Sequence, residues 1–343
     1  MAQSVVTEEW VLGPEGTPFY TKRWSPSTGE IKAYILFVHG FSEHIGRYDA
    51  FFNLLASLAN LHITAYDQRG HGRTSQAPLS SSSPEVKKWK AEGKMVKVEK
   101  NGKRRTGGWG KVFGDMEWFL KGENRDVGIA VVMDADKGGG NQGGGQALAF
   151  PMRPTPPPSK ETIDMLSGVI AGGPLIRLSN PAPGYQIKAG SFAANVGLGS
   201  FLIPTPMDYN HLSHDAGPNE SAKSDPFCEQ VGSLRGVADM LNGGEWLDSQ
   251  DAWDRWPPAL PLLCYHGGED NICDVRATKR FVQGVKAGDK TIKVFEGMYH
   301  EVHNETEPTP SDLAKIVSEW IDARISQPSK TQPAAPVAGQ SKL

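Results

Sequence analysis

The feature that most constrains this chain is the apolar run Tyr34–Val38, which stops abruptly at His39-Gly40. A run of that length closing on a glycine turn reads as a strand buried on both faces. Tyr48–Leu58 follows with helical spacing, and His62–Asp67 is a second strand with a polar tip. Strand, helix and strand at this spacing predict neighbouring parallel strands joined by a right-handed crossover. Further strands are expected at Ile129–Met133, Gly168–Ala171, Leu260–His266 and Thr291–Phe295. A helix over Ser311–Ile325 gathers Leu313, Ile316, Val317, Trp320 and Ile321 on one face. Two exposed strands, Glu9–Val11 and Pro18–Trp24, precede the alternation across the GPEG turn. The expected class is α/β, with a mostly parallel central sheet flanked by helices.

Three segments break the pattern. Lys87–Arg105 is lysine-rich but interleaved with Glu92 and Glu99, and reads as a solvated insertion. Pro154–Pro158 reads as a stiff, extended connector. Leu175 to about Trp256 is long, rich in proline and glycine and weakly periodic; such excursions commonly cover a ligand crevice at the strands' carboxyl ends. The residues from Gln327 onward read as a disordered tail.

Charge narrows the function classes. Lys and Arg number 36 against 39 Asp and Glu, a formal net charge of −3. A nucleic-acid binder needs a basic excess to displace counterions, so no nucleic-acid partner is expected. No apolar run approaches the ~20 residues of a membrane span, and the opening MAQSVVTEEW carries no secretory signal. Cys228, Cys264 and Cys273 form neither a CxxC nor a disulfide-dense pattern, which favours a reducing compartment and a soluble, intracellular protein.

The strand-ending His39-Gly40-Phe41, followed by Glu43-His44 and Arg47-Tyr48, resembles the HGxxEHxxRY segment of the α/β-hydrolase branch that holds the monoacylglycerol lipases and the serine aminopeptidase S33 domain. Further matches follow in the family's order: Tyr66-Asp67-Gln68-Arg69-Gly70-His71-Gly72-Arg73, Gly173-Pro174-Leu175-Ile176, Leu212-Ser213-His214-Asp215, Asp225-Pro226, His266-Gly267-Gly268-Glu269-Asp270, and Tyr299-His300-Glu301-Val302-His303-Asn304-Glu305. The resemblance covers about Phe19 to Ile325. It implies one α/β-hydrolase domain over residues 1–326 with a cap at about 175–256, followed by a tail at 327–343. It also implies carboxylic-ester hydrolysis of acylglycerols to a fatty acid and glycerol. By resemblance Asp270 is the orienting acid, with Glu269 and Asp274 as less well matched substitutes. His300 is the base, which takes the nucleophile's proton and hands it to the leaving alcohol; His303, three residues on, is the competitor. The backbone N–H of Phe41 would be one oxyanion donor, the other coming from the residue after the nucleophile. His39, His44 and His71 are expected to hold loops by hydrogen bonds.

The nucleophile is missing. The triad needs a serine in GxSxG on a sharp strand-to-helix turn, yet no GxSxG occurs and no serine lies between Ser83 and Ser159. Counting from the strand end at Met133 puts Asp136 in the nucleophile seat. Counting back from Gly143-Gly144-Gly145 puts Asn141 there, in the frame Gly139-x-Asn141-x-Gly143, with Gln142 as the second oxyanion donor. The second frame is preferred because QALAF after it also matches. An asparagine amide does not attack esters, and deleting a triad serine removes about 10⁶-fold in kcat. The chain as written should therefore be a very poor serine hydrolase. Three readings stay open: an active lineage whose elbow block, about 122–142, is mis-spliced or mis-predicted; a non-catalytic lipid-binding relative; and a hydrolase with Asp136 as nucleophile. No metal is expected, since HExxH-type spacing is absent. No nucleotide cofactor is expected either, since Gly138–Gly145 lacks a P-loop ending. The closing Ser341-Lys342-Leu343 is an address read by the peroxisomal import receptor, so the expected location is the peroxisome, with the cytoplasm as the alternative.

Overall fold

The computed structural model describes residues 4–98, 102–123, 130–134 and 142–325. The expected parallel core is built from β3 (Ala33–Val38), β4 (Leu61–Tyr66), β5 (Ala130–Asp134) and β6 (Leu166–Gly172), after a leading hairpin of β1 (Ser4–Leu12) and β2 (Pro18–Pro26). A small antiparallel pair, β7 (Leu202–Pro204) and β8 (Val231–Ser233), stands apart. The sheet then resumes with β9 (Leu262–Gly267) and β10 (Lys290–Phe295). Its order is β1-β2-β4-β3-β5-β6-β9-β10. From β4 to β10 every neighbouring pair is parallel.

Helices cover both faces. On one side α1 (Asp49–Ala59) and α12 (Thr309–Ile325) bury Phe51, Phe52, Leu55, Leu313, Val317 and Trp320 against the sheet. Asn60 ends α1 in the left-handed conformation, φ 52°, and turns the chain directly into β4. Three helices fill the connection from β4 to β5: α2 (Gly72–Gln76), α3 (Pro84–Ala91) and α4 (Trp109–Glu123). On the opposite face α4 and α5 (Gln142–Ala149) supply Val112, Phe113, Met116, Ala147 and Leu148 to a second core. A short α6 (Lys160–Asp164) leads into β6.

Between β6 and β9 the chain leaves the sheet and forms α7 (Gly184–Ala193), α8 (Ala216–Ser224), α9 (Leu234–Leu247) and α10 (Gln250–Arg255), together with the β7–β8 pair. Finally α11 (Val275–Gly284) joins β9 to β10. Leu175, Leu212, Ala222, Met240, Ile272, Cys273 and Phe41 form a third apolar cluster, between this excursion and the loops at the strands' carboxyl ends.

Two sequence expectations need correction. Lys87–Arg105 is not wholly solvated: Trp89 is 8% exposed and Arg104 1%. The Arg104 guanidinium donates to the carbonyls of Phe227 and Glu229, both at 2.9 Å. Lys87, Lys88, Lys90, Lys94 and Lys97 face outward while those two side chains turn in, which composition alone does not reveal. The proline run 154–158 is a series of bends rather than an extended rod.

Candidate active site

The parallel pairing of β9 with β10 sets Gly267 opposite Phe295. It continues past the strand ends, since the Gly268 N–H donates to Phe295 O at 2.8 Å and the Glu269 N–H to Met298 O at 3.0 Å. The two loops are thereby zipped together, and the next residues of each face one another. His300 Nδ1 lies 2.5 Å from Asp270 Oδ2, both side chains fully withdrawn from solvent.

Asp270 is fixed from both sides. Its Oδ1 accepts the N–H groups of Ile272 and Cys273, at 2.7 and 2.9 Å. Its Oδ2 is also 2.9 Å from His266 Nε2. Burial pushes the Asp270 carboxyl up, but the charge of His300 and the hydrogen bonds from both histidines outweigh it and hold the group well below the usual carboxylate range. An ionised carboxylate against Nδ1 keeps the imidazole proton there and leaves Nε2 as the basic nitrogen.

His266 is a partner that the sequence did not single out. Its Nδ1 is 3.0 Å from Thr278 Oγ1 on α11, which locks the ring beside Asp270. The signal was its position at the end of the buried strand β9, four residues before Asp270. Gly173, just past β6, has φ +46°, and a Cβ on it would stand 3.3 Å from His300 Cε1, so a side chain there would crowd the imidazole.

The competitors lie elsewhere. His303 stacks on Tyr48, centroids 4.9 Å apart, and against Phe51. Asp274 caps α11 by accepting from the Arg276 N–H at 2.9 Å.

The loop after β3 is held rigidly. Desolvation pushes the His39 imidazole down to about 3, so the ring is neutral. Its Nδ1 donates to Gly40 O at 2.8 Å and its Nε2 accepts the Gln68 N–H at 2.9 Å. The Gly40 N–H donates to Glu43, which also takes the Tyr48 hydroxyl at 2.7 Å. Phe41, 1% exposed, presses its ring against Gly232 of the excursion, where a Cβ would collide at 2.3 Å. Ser42 donates to the Glu229 carbonyl, and His44 Nε2 bonds Asp225 Oδ2 at 2.7 Å.

Asp136 and Asn141 lie outside the described residues, as do Ser341, Lys342 and Leu343. Gln142 opens α5, whose Gly145 lies so close to the Leu175 carbonyl that a Cβ would be at 3.2 Å. β5 ends at Asp134, one residue beyond the expected strand end. Two triads of ligand-type residues exist among the described residues, Asp270–Cys273–His300 and His44–Asp225–Cys228, their donor atoms within 4.8 Å of one another. In both, one ring nitrogen of the histidine is hydrogen-bonded to the carboxylate.

The profile of the family described as "Serine aminopeptidase, S33" matches residues 29–94 and 143–307. The chain belongs to the serine aminopeptidase S33 family. The S33 match passes over 95–142 and resumes at the glycines of α5. The mouse (Mus musculus) monoglyceride lipase is 25% identical over 322 residues, covering 92% of this chain and 90% of its own. The monoglyceride lipase of Saccharomyces cerevisiae is also 25% identical, over 342 residues that cover 96% and 97%. The crystal structure of a soluble variant of that yeast lipase, in complex with a substrate analog, superimposes with a TM-score of 0.74 at 22% identity, covering 94% of this chain and 96% of that one. The fold is the α/β-hydrolase fold, and the S33 chain stands in the hydrolase lineage shared with these lipases. No helix among the described residues is long and apolar enough to cross a membrane.

Proposed function

We propose that this polypeptide is an acylglycerol-binding member of the S33 family that keeps the acid and base of an ester hydrolase but lacks the hydroxyl they would activate. The observation that carries the reading is the buried His300–Asp270 pair at 2.5 Å, set against a sequence from Ala135 to Asn141 that holds no serine, threonine or cysteine. Asp270 orients the imidazole, His300 presents Nε2 as base, and the N–H groups of Phe41 and Gln142 serve as oxyanion donors. The third apolar cluster, from Phe41 to Met240, is the surface for the acyl chain. Outside it, Tyr185, Phe192, Val196 and Phe201 are more than half exposed, which suits a protein that meets its ligand at a lipid surface.

The test is to mix the purified chain with a fluorophosphonate probe and, separately, with a monoacylglycerol. The expected result is ester binding, no labelled serine and hydrolysis near background. Stoichiometric labelling of a serine overturns the reading and returns the chain to the active lipases.

A second reading keeps catalysis, with Asp136 as nucleophile. The observation in its favour is that β5 runs on to Asp134, so Asp136 follows the strand tip closely, as an elbow nucleophile does. Oxygen-18 appearing in Asp136 after turnover in labelled water would establish it. For location we propose the peroxisome, through Ser341-Lys342-Leu343; a fluorescent fusion with this carboxyl terminus free that stays diffuse in the cytoplasm rejects it.

A further inference from the structure

Helix α9 has two working faces. Val237, Met240 and Leu241 point towards Phe41, Leu175 and Cys273 over the candidate site. On the same side Gly244 meets the Ile176 carbonyl so closely that a Cβ would be 2.7 Å from it. The opposite face carries Arg235, Asp239, Asn242, Gly243 and Trp246 at helical spacing, and it borders a separate open cavity of about 670 Å³. That volume lies inside the roughly 300–1,000 Å³ range of small-molecule sites.

The far wall comes from two other elements: Gly107-Gly108-Trp109-Gly110 at the start of α4, and Ala149, Arg153 and Pro154 after α5. Its charges do not balance. Asp239 is occupied: Arg235 Nη1 lies 3.6 Å away and the Trp109 N–H donates to it at 3.1 Å. Arg153 has no carboxylate partner among the described residues. Its guanidinium lies over the Phe113 ring, 4.8 Å from the centroid, its Nε is buried with nothing to donate to, and burial pushes its pKa down. The indole Nε1 of Trp109 is likewise buried and unpaired. An unanswered buried donor is costly, so the wall is complementary to an acceptor that the described residues do not supply.

We infer that this cavity is a second ligand site, which takes an organic carboxylate with an apolar body. The carboxylate lies against the Arg153 guanidinium, a planar donor matched to it, and the body lies between the Trp109 and Trp246 rings. A long-chain acid is the product class released by the lineage's ester chemistry, a link that rests on the proposed function. The site itself does not. Because the same helix packs with its other face on Phe41, Leu175 and Cys273, an occupant here bears on the position of that packing.

The experiment is titration calorimetry of the full chain with octanoate, with 1-octanol as the uncharged probe. Arg153→Gln and the cavity-filling Asn242→Trp are compared with the parent, all three checked for the same circular dichroism. The expected result is octanoate binding that both variants weaken about tenfold or more, with octanol much weaker. Equal octanoate affinity in all three proteins, or octanol binding as tightly as octanoate, overturns the inference. The readout needs no turnover, so a failed hydrolase reading leaves it intact.

Discussion

A Cβ placed on Gly267 would stand 1.9 Å from the Tyr299 carbonyl oxygen. The tip of β9 and the loop after β10 touch backbone to backbone, and this contact sets the reach between Asp270 and His300. Gly267→Ala must push the loops apart. The expected cost is about 1–3 kcal/mol of stability, read as a lower urea midpoint with an unchanged slope. A variant as stable as the parent would contradict the close approach.

Asp270 predicts a pH dependence. A carboxyl whose folded pKa lies below its unfolded value adds stability that is complete above the unfolded value and is lost as pH falls through the folded one. Its ordinary value is 3.8 and its folded value is lower. The Asp270 contribution is therefore full above about pH 4 and fades below it. Asp270→Asn should cost about 1–3 kcal/mol at neutral pH and flatten the acid limb of a stability profile. An unaltered acid limb would show that the carboxylate is not held as described.

Arg69 grips Asp115 on α4 with two parallel bonds, Nε to Oδ2 at 2.6 Å and Nη2 to Oδ1 at 2.8 Å. Desolvation raises the Asp115 carboxyl to about 6 even against that partner. Asp115→Ala leaves a buried guanidinium without its paired acceptor and should cost about 3–5 kcal/mol, measured by chemical denaturation. A loss under 1 kcal/mol would place the pair in effective contact with solvent.

The missing hydroxyl can be supplied. If the frame Gly139-x-Asn141-x-Gly143 is the elbow, Asn141→Ser should gain fluorophosphonate labelling and raise monoester hydrolysis by about a hundredfold or more over the parent. Asp136→Ser is the comparison. Labelling of that variant instead shifts the nucleophile seat five residues towards the strand.

The parallel core was legible because its strands are buried on both faces and read as unbroken apolar runs: Tyr34–Val38 against the observed Ala33–Val38, Thr291–Phe295 against Lys290–Phe295. The leading edge was not. Glu9–Val11 lies in the second half of a nine-residue strand, Ser4–Leu12, whose mostly exposed side chains follow no core pattern and which is held by pairing with β2. Asp270 and His300 could be named from the motifs around them. His266 stands in the same motif as Asp270, but its role could not be read there, because it depends on Thr278 of α11 fixing its ring beside the carboxylate. Arg153 was equally hidden, since a guanidinium with no carboxylate beside it among the described residues is visible only once its surroundings are folded around it.

Ser42, His44 and the Phe41 ring all grip the stretch from Asp225 to Gly232. The roof over the crevice is thus anchored to the very turn that carries the Phe41 N–H, the proposed oxyanion donor. Lifting it there breaks the Ser42 and His44 bonds and uncovers the Phe41 ring. On the proposed reading, admission of a guest and readiness of the anion pocket are one mechanical event.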